Sequence, residues 1–181
     1  MKTLTVTKDT TAQEIFDFVA HHLLLQAWPA MSKDGQNCTF RGQGRACSVG
    51  CLIPNPMYSK LMEGQASDDL IHAARNFLDE HPDQRNAAED NYGIGEARAR
   101  YFVLLEPHQS LLSALLDAHD SYYEAFKSEA TGWTAPDRAT KAGKRTVRDF
   151  WLRRLAYVAQ SYKLQYDMAK VEYYFNNVHP I

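Results

Sequence analysis

The sequence predicts an α-rich α+β fold, with about four main helices and a small N-terminal β-hairpin or short antiparallel sheet. Apolar residues recur at three- and four-residue spacing through four long stretches, the period of an amphipathic helix. β-prone residues around glycine turns are confined to one short region, residues 37–53. The composition, 45% hydrophobic and 23% charged over 181 residues, is that of an ordinary globular domain and excludes collagen, a disordered tail and a disulfide-dense module. Length and the absence of any internal repeat predict one domain, 1–181.

Residues 1–9 alternate around Leu4 and Val6 and suit a short edge strand. Thr11 and Glu14 form a capping box, and Ile15, Phe16, Val19, Leu23 and Ala27 follow at helical spacing, so a helix is predicted over 12–28, stopped by Pro29. Asp34-Gly35 is a turn. A hairpin is expected with 37–41 paired to 45–49 across Gly42-Gln43-Gly44. Pro54 and Pro56 end it and lead into a short helix, 57–62. Ser67 caps the next helix, with Asp68 and Asp69 favourable at its positive end, and Leu70, Ile71, Ala74, Phe77 and Leu78 as its buried stripe. Residues 82–98 read as a loop, and 101–105 is an apolar run whose period does not choose between helix and strand. Pro107 suits a first helical turn, and Leu111, Leu112, Leu115, Leu116, His119, Tyr122 and Phe126 repeat behind it. Residues 130–143 read as a mobile loop. A long C-terminal helix is expected over 145–176, with Val147, Trp151, Leu155, Val158 and Tyr162 on its stripe and neither Gly nor Pro inside it.

Twenty basic residues against 22 acidic give a net charge of −2, which is no global nucleic-acid signature. The charges are segregated. Eight acidic residues and two arginines lie between Glu63 and Asp90, and seven basic residues and one Asp149 lie between Arg138 and Arg154. Two solvated faces are the ordinary reading of such runs, and phosphate or acidic-partner binding is the sharper one. No apolar run approaches the roughly 20 residues that cross a bilayer, and the N-terminus lacks a signal-peptide core, so a cytoplasmic protein without membrane contact is expected.

The densest chemistry lies in Cys38-Thr39-Phe40-Arg41-Gly42-Gln43-Gly44-Arg45-Ala46-Cys47-Ser48-Val49-Gly50-Cys51-Leu52-Ile53-Pro54. Three roles fit its cysteines. As core, Cys38 and Cys47 pack as small hydrophobes, the reading the composition favours. As a metal site, Cys38, Cys47 and Cys51 offer three thiolates, with His21, His22 or His119 as a fourth zinc ligand, although the spacings are not those of a zinc finger or ribbon. As a hydrolase or transferase centre, Cys47 or Cys51 is a nucleophile activated by His119 and oriented by Asp120 or Asp117. The flanked glycines of Arg41-Gly-Gln-Gly-Arg45 suit an anion, without the G-K-[ST] of a P-loop. Arg145, Arg148, Arg153 and the off-stripe Tyr157 suit a partner surface.

This segment, with Tyr58 and Met62-Glu63-Gly64 after it, resembles an uncharacterised family of small proteins from bacteriophage and bacterial genomes, whose shared segment reads C-x-[YF]-R-G, then C-[AS]-[VI]-G-C-L-I-P. Phe16-Asp17-Phe18-Val19 and His119-Asp120 are also similar to it, while the turn here is one residue shorter. The similarity covers about residues 14–64 well and the rest weakly. It implies a phage-related origin and no defined activity. The expected function is therefore a non-catalytic accessory binding protein of the counter-defence or host-takeover type, acting in the bacterial host's cytoplasm. It would sequester a host protein or a small anionic ligand, without a cofactor. Zinc binding, the cysteine-dependent enzyme, nucleic-acid binding and self-association stand as alternatives.

Overall fold

A computed structural model describes residues 4–35, 37–82, 88–127 and 140–167, with only the helical backbone for 123–127. The α-helices are α1 (Ala12–Gln26), α2 (Ser67–Glu80), α3 (Glu96–Leu105), α4 (Gln109–Lys127) and α5 (Lys141–Ser161). The described β-structure is one hairpin of two-residue strands, β1 (Arg41–Gly42) and β2 (Arg45–Ala46), plus an isolated antiparallel bridge between Met31 and Cys38. The α-rich α+β class is thus the observed one. α1 packs on α4 and α5, α2 on α3 and α4, and α4 on α5. One continuous apolar cluster joins them, with Phe16, Leu23, Leu52, Met62, Phe102, Leu115 and Trp151 all almost fully buried.

Local chemistry explains the helix starts. Thr11 Oγ1 accepts the Glu14 N–H at 3.2 Å and the Glu14 carboxylate accepts the Thr11 N–H at 2.8 Å, the reciprocal capping box read from sequence. At α2 the cap is Ala66, not Ser67: Ser67 is the first helical residue and is buried, and the Asp69 carboxylate takes the Ala66 N–H. The 101–105 run is the second half of α3. Pro107 lies in a 3₁₀ turn, Glu106–His108, leading into α4.

Three expectations for the chain outside the long helices give way to other geometry. Residues 4–10 pair with no strand; Thr10 Oγ1 and the Thr7 carbonyl instead close a turn with Thr7 and Thr10 backbone N–H groups. The helix expected over 57–62 is two 3₁₀ turns, Asn55–Met57 and Lys60–Met62. The expected 37–41/45–49 hairpin pairs Arg41 with Ala46 and Gly42 with Arg45, and the second strand stops there. Cys47 still donates to the Phe40 carbonyl at 3.0 Å, but residues 47–52 then coil, with Cys51 N–H bonded to Cys47 O and Leu52 N–H to Val49 O. Cys47, Ser48 and Val49 are consequently all buried, with no alternation of faces.

The C-terminal helix begins four residues before the expected 145 and ends at Ser161 instead of 176. Lys163 takes φ of +55°, its N–H bonds to Gln160 O, and Leu164 N–H bonds to Ala159 O. This is a Schellman stop made without glycine. The Gln13 side chain then holds the chain on α1, accepting the Gln165 N–H at 2.8 Å and donating to the Gln165 carbonyl at 3.0 Å. Tyr166 stands edge-on to Phe16, with centroids 5.4 Å apart. Residues 168–176 of the expected helix and 130–139 of the expected loop lie outside the described residues; 140–143 are the cap and first turn of α5.

Glycines set the hairpin's place in two ways. Gln43 and Gly44 form its two-residue turn, both at positive φ, a conformation whose twist matches the strands. At Gly50 the constraint is steric, since an added Cβ would lie 2.0 Å from the Phe40 carbonyl oxygen. Gly44→Ala is expected to cost about 1 kcal/mol through its backbone conformation. Gly50→Ala should cost about 3 kcal/mol or more, because the opposing atom is rigid backbone. Urea midpoints of the two variants check the order, and equal losses would contradict the close approach.

Candidate functional site

The C-terminal end of α1 holds the hairpin by side chains. Gln26 Oε1 accepts the Ala46 N–H at 3.0 Å, while Gln26 Nε2 donates to the Ala46 carbonyl at 3.0 Å and to Trp28 O at 2.7 Å. A single amide thereby replaces a neighbouring strand along β2. His22 Nε2 also bonds the Ala46 carbonyl, at 2.9 Å, which assigns the proton to that nitrogen. Burial holds the His22 imidazole below its ordinary value of 6.5, against the opposing pull of this hydrogen bond.

Glu63 closes the segment from the other side. Its carboxylate accepts the Phe40 N–H at 2.7 Å, the Arg41 N–H at 2.9 Å and the Tyr58 hydroxyl at 2.7 Å. The Arg41 guanidinium donates to Asn55 Oδ1 at 2.7 Å and to the Ile53 carbonyl, and lies 4.6 Å over the Tyr58 ring. Burial and the neighbouring carboxylate push the Tyr58 hydroxyl up to about 12, so it stays a hydrogen-bond donor. Arg41, Tyr58 and Glu63 are thus a clamp, each charge-assisted bond contributing about 1.5–3 kcal/mol against an unpaired alternative.

Between α1, the hairpin and the Cys51–Tyr58 turns lies an open groove of about 660 Å³. Phe18, Leu25 and Ile53 supply apolar walls, and Arg41, Arg45 and His22 are its ionisable nitrogen groups. No carboxylate lines it among the described residues. Both hairpin arginines singled out in the sequence therefore reach one groove, although Arg41 is also structural. Arg45 donates to the Gln43 carbonyl at 3.2 Å within the turn and lines the groove.

The thiols differ in burial, and Cys47 lies in the core as the favoured reading expects. Cys47 is buried, its Sγ accepting the Gly50 N–H at 3.2 Å, and burial raises its thiol from 9.0 to about 12. Cys51 donates to the Ser48 carbonyl at 3.1 Å, and burial raises its thiol well above the ordinary value. Neither carries appreciable thiolate at neutral pH, the opposite of an activated nucleophile. His119 is fully buried and stacked on Trp151, with ring centroids 5.6 Å apart. Its Nε2 accepts the Ala30 N–H at 3.2 Å, so the proton sits on Nδ1 and is donated to Asp120 at 2.7 Å. Both nitrogens are hydrogen-bonded. The cysteine that does come near His119 and Asp120 is Cys38, and Cys47 and Cys51 are not part of that cluster. Neither His21 nor His22 joins it.

On α5, Arg145, Arg153 and Tyr157 face outward, with Tyr157 68% exposed. Arg148 does not share that face: it is 9% exposed, and its desolvation lowers its guanidinium pKa. The acidic stretch lines a cavity of about 350 Å³ between α2 and the Ala88–Tyr92 turn, with Asp69, Glu80 and Asp90 on its walls. No helix among the described residues is long and apolar enough to cross a membrane. Comparison with family models, with curated proteins and with solved structures finds no match.

The two burial effects have opposite pH signs. The folded chain resists protonating His22, so its contribution is present above 6.5 and is lost as pH falls below it. It also resists deprotonating Cys47, so that contribution, about 4 kcal/mol at most, is present below 9.0 and is lost as pH rises toward 12. The urea midpoint is expected to be flat between these limits and to fall outside them. Cys47→Ala should blunt the alkaline fall and His22→Gln the acid fall. A maleimide at neutral pH should label Cys38 before Cys47 or Cys51, and prior labelling of Cys47 or Cys51 would revive the nucleophile reading.

Proposed function

We propose that the chain is a non-catalytic accessory binding protein, phage-associated and of the counter-defence or host-takeover type, that sequesters a small anionic ligand in the groove beside the Arg41–Arg45 hairpin. The groove carries this reading: it combines apolar walls with two guanidinium groups and no lining carboxylate among the described residues. Such a surface favours an anion attached to an apolar or planar body, because the body displaces water from Phe18, Leu25 and Ile53 while the charge meets Arg45. The high thiol pKa of Cys47 and the position of Cys47 and Cys51 outside the His119–Asp120 cluster support binding over cysteine chemistry. The phage-related role rests on the resemblance of the 38–64 segment.

Thermal shift and calorimetry with nucleoside monophosphates and aromatic carboxylates test this, with inorganic phosphate as the bare-anion control. Amphiphilic anions should bind more tightly than phosphate, and Arg45→Glu should weaken them by ~10–100-fold, the worth of a charge-assisted bond. Binding unaffected by Arg45→Glu, or no binding across the panel, would remove the groove from the account.

A second reading, capture of a host protein, rests on exposed Tyr157 among Arg145 and Arg153, since tyrosine and arginine are over-represented at interface hot spots. Pull-down from host lysate with an Arg145→Glu/Arg153→Glu/Tyr157→Ala chain should then lose the partner. Unchanged recovery would exclude this face.

A further inference from the structure

A second place in the fold brings different chemistry together and shares no residue with the groove. The Met31–Cys38 bridge fixes Cys38, whose Sγ lies 3.8 Å from Met31 Sδ. α4 delivers His119 and Asp120 to the same spot from 81 positions further along the chain. One ligand atom from each of Cys38, His119 and Asp120 lies within 4.8 Å of the others, and no other Cys, His, Asp or Glu trio converges this closely among the described residues. A cavity of about 270 Å³ lies against the cluster, with Cys38, Phe40, Cys47, Leu116 and Asp120 in its wall. We propose that Cys38, His119 and Asp120 form a zinc site whose fourth position faces this cavity.

The donor set carries the choice of ion. Thiolate, imidazole and carboxylate are zinc's three protein ligand types, whereas calcium and magnesium seek oxygen alone. Zinc–donor distances of about 2.0–2.3 Å place tetrahedral donors roughly 3.3–3.7 Å apart. The His119 Nδ1 to Asp120 oxygen distance is 2.7 Å, a hydrogen bond, and it widens as the ion enters. Asp120 has the freedom for this, its side chain being 43% exposed, and Cys38 is also partly exposed. His119, packed on Trp151, is the rigid ligand.

Binding exchanges protons for metal. The Cys38 thiol releases its proton to solvent as the Sγ–Zn bond forms. Zinc takes the Nδ1 lone pair of His119, so the ring proton moves to Nε2, where it faces the Ala30 N–H, and the Ala30 backbone must turn away to separate the two donors. Metal binding is thereby coupled to the backbone at Ala30, and the site is weaker than one with a carbonyl behind the imidazole.

The test is titration of chelator-treated full-length protein with cobalt(II) and then zinc. One cobalt per chain is expected, with tetrahedral visible bands and a thiolate-to-cobalt charge-transfer band that zinc displaces. Cys38→Ser should abolish the charge-transfer band, Asp120→Asn should weaken binding ~10-fold or more, and Cys51→Ala should change neither. Long-range ¹H–¹⁵N spectra of the wild-type chain should show His119 protonated on Nδ1 without metal and on Nε2 with saturating zinc. This measurement decides the matter even where a variant does not fold. No cobalt spectrum, a charge-transfer band that survives Cys38→Ser, or a His119 that keeps its Nδ1 proton at saturating zinc would each overturn the site.

Discussion

The fold depends on satisfying the buried backbone of a long, irregular segment. Between α1 and α2 the described chain makes two-residue strands, one isolated bridge and 3₁₀ turns, yet it is wrapped into the core. Backbone N–H and C=O groups there have few regular partners, and a buried one left unpaired costs about 1–3 kcal/mol. Side chains do the pairing. His119 takes the Ala30 N–H, Glu63 takes those of Phe40 and Arg41, Gln26 takes both groups of Ala46, and Arg41 reaches the Ile53 carbonyl. Tyr101 reaches the Leu52 carbonyl, and Arg98 that of Met57.

That constraint reassigns the residues that look most chemical. His119 and Arg41 are the kinds of side chain expected in a catalytic or anion-binding centre, and both are occupied in holding backbone. The same bonds shape the groove. Gln26 and His22 tie β2 to α1, while Arg41, stacked on Tyr58, holds the Cys51–Tyr58 turns, so the space between acquires arginine and apolar walls together. The groove is then a property of the scaffold's outer surface, with Arg45 in its lining.

The helical frame was legible because its signals are local. The Thr11–Glu14 capping box, the apolar stripes of α1, α2 and α4, and Pro107 before α4 each act within a turn or two. The stop of α5 at Ser161 was not legible, because Lys163 adopts a left-handed conformation that sequence assigns to glycine or asparagine. Leu164 packing on the core and Gln165 pairing with Gln13 hold it there. The second hairpin strand failed beyond Ala46 for a similar reason. Gly50 meets the Phe40 backbone, and Cys47 and Cys51 bond their own turn, so coiling satisfies groups that a strand would have left facing the core.

By itself the sequence determined the α-rich class, the capped start of α1 and the two arginines of the hairpin, since periodicity, capping and turn chemistry need only near neighbours. Tertiary structure alone decided that Arg148 is buried, that Cys47 and Cys51 are held as neutral thiols, and that Cys38 is the cysteine beside His119 and Asp120. Those outcomes turn on desolvation and on contacts across tens of residues, and neither is encoded in the spacing of a motif.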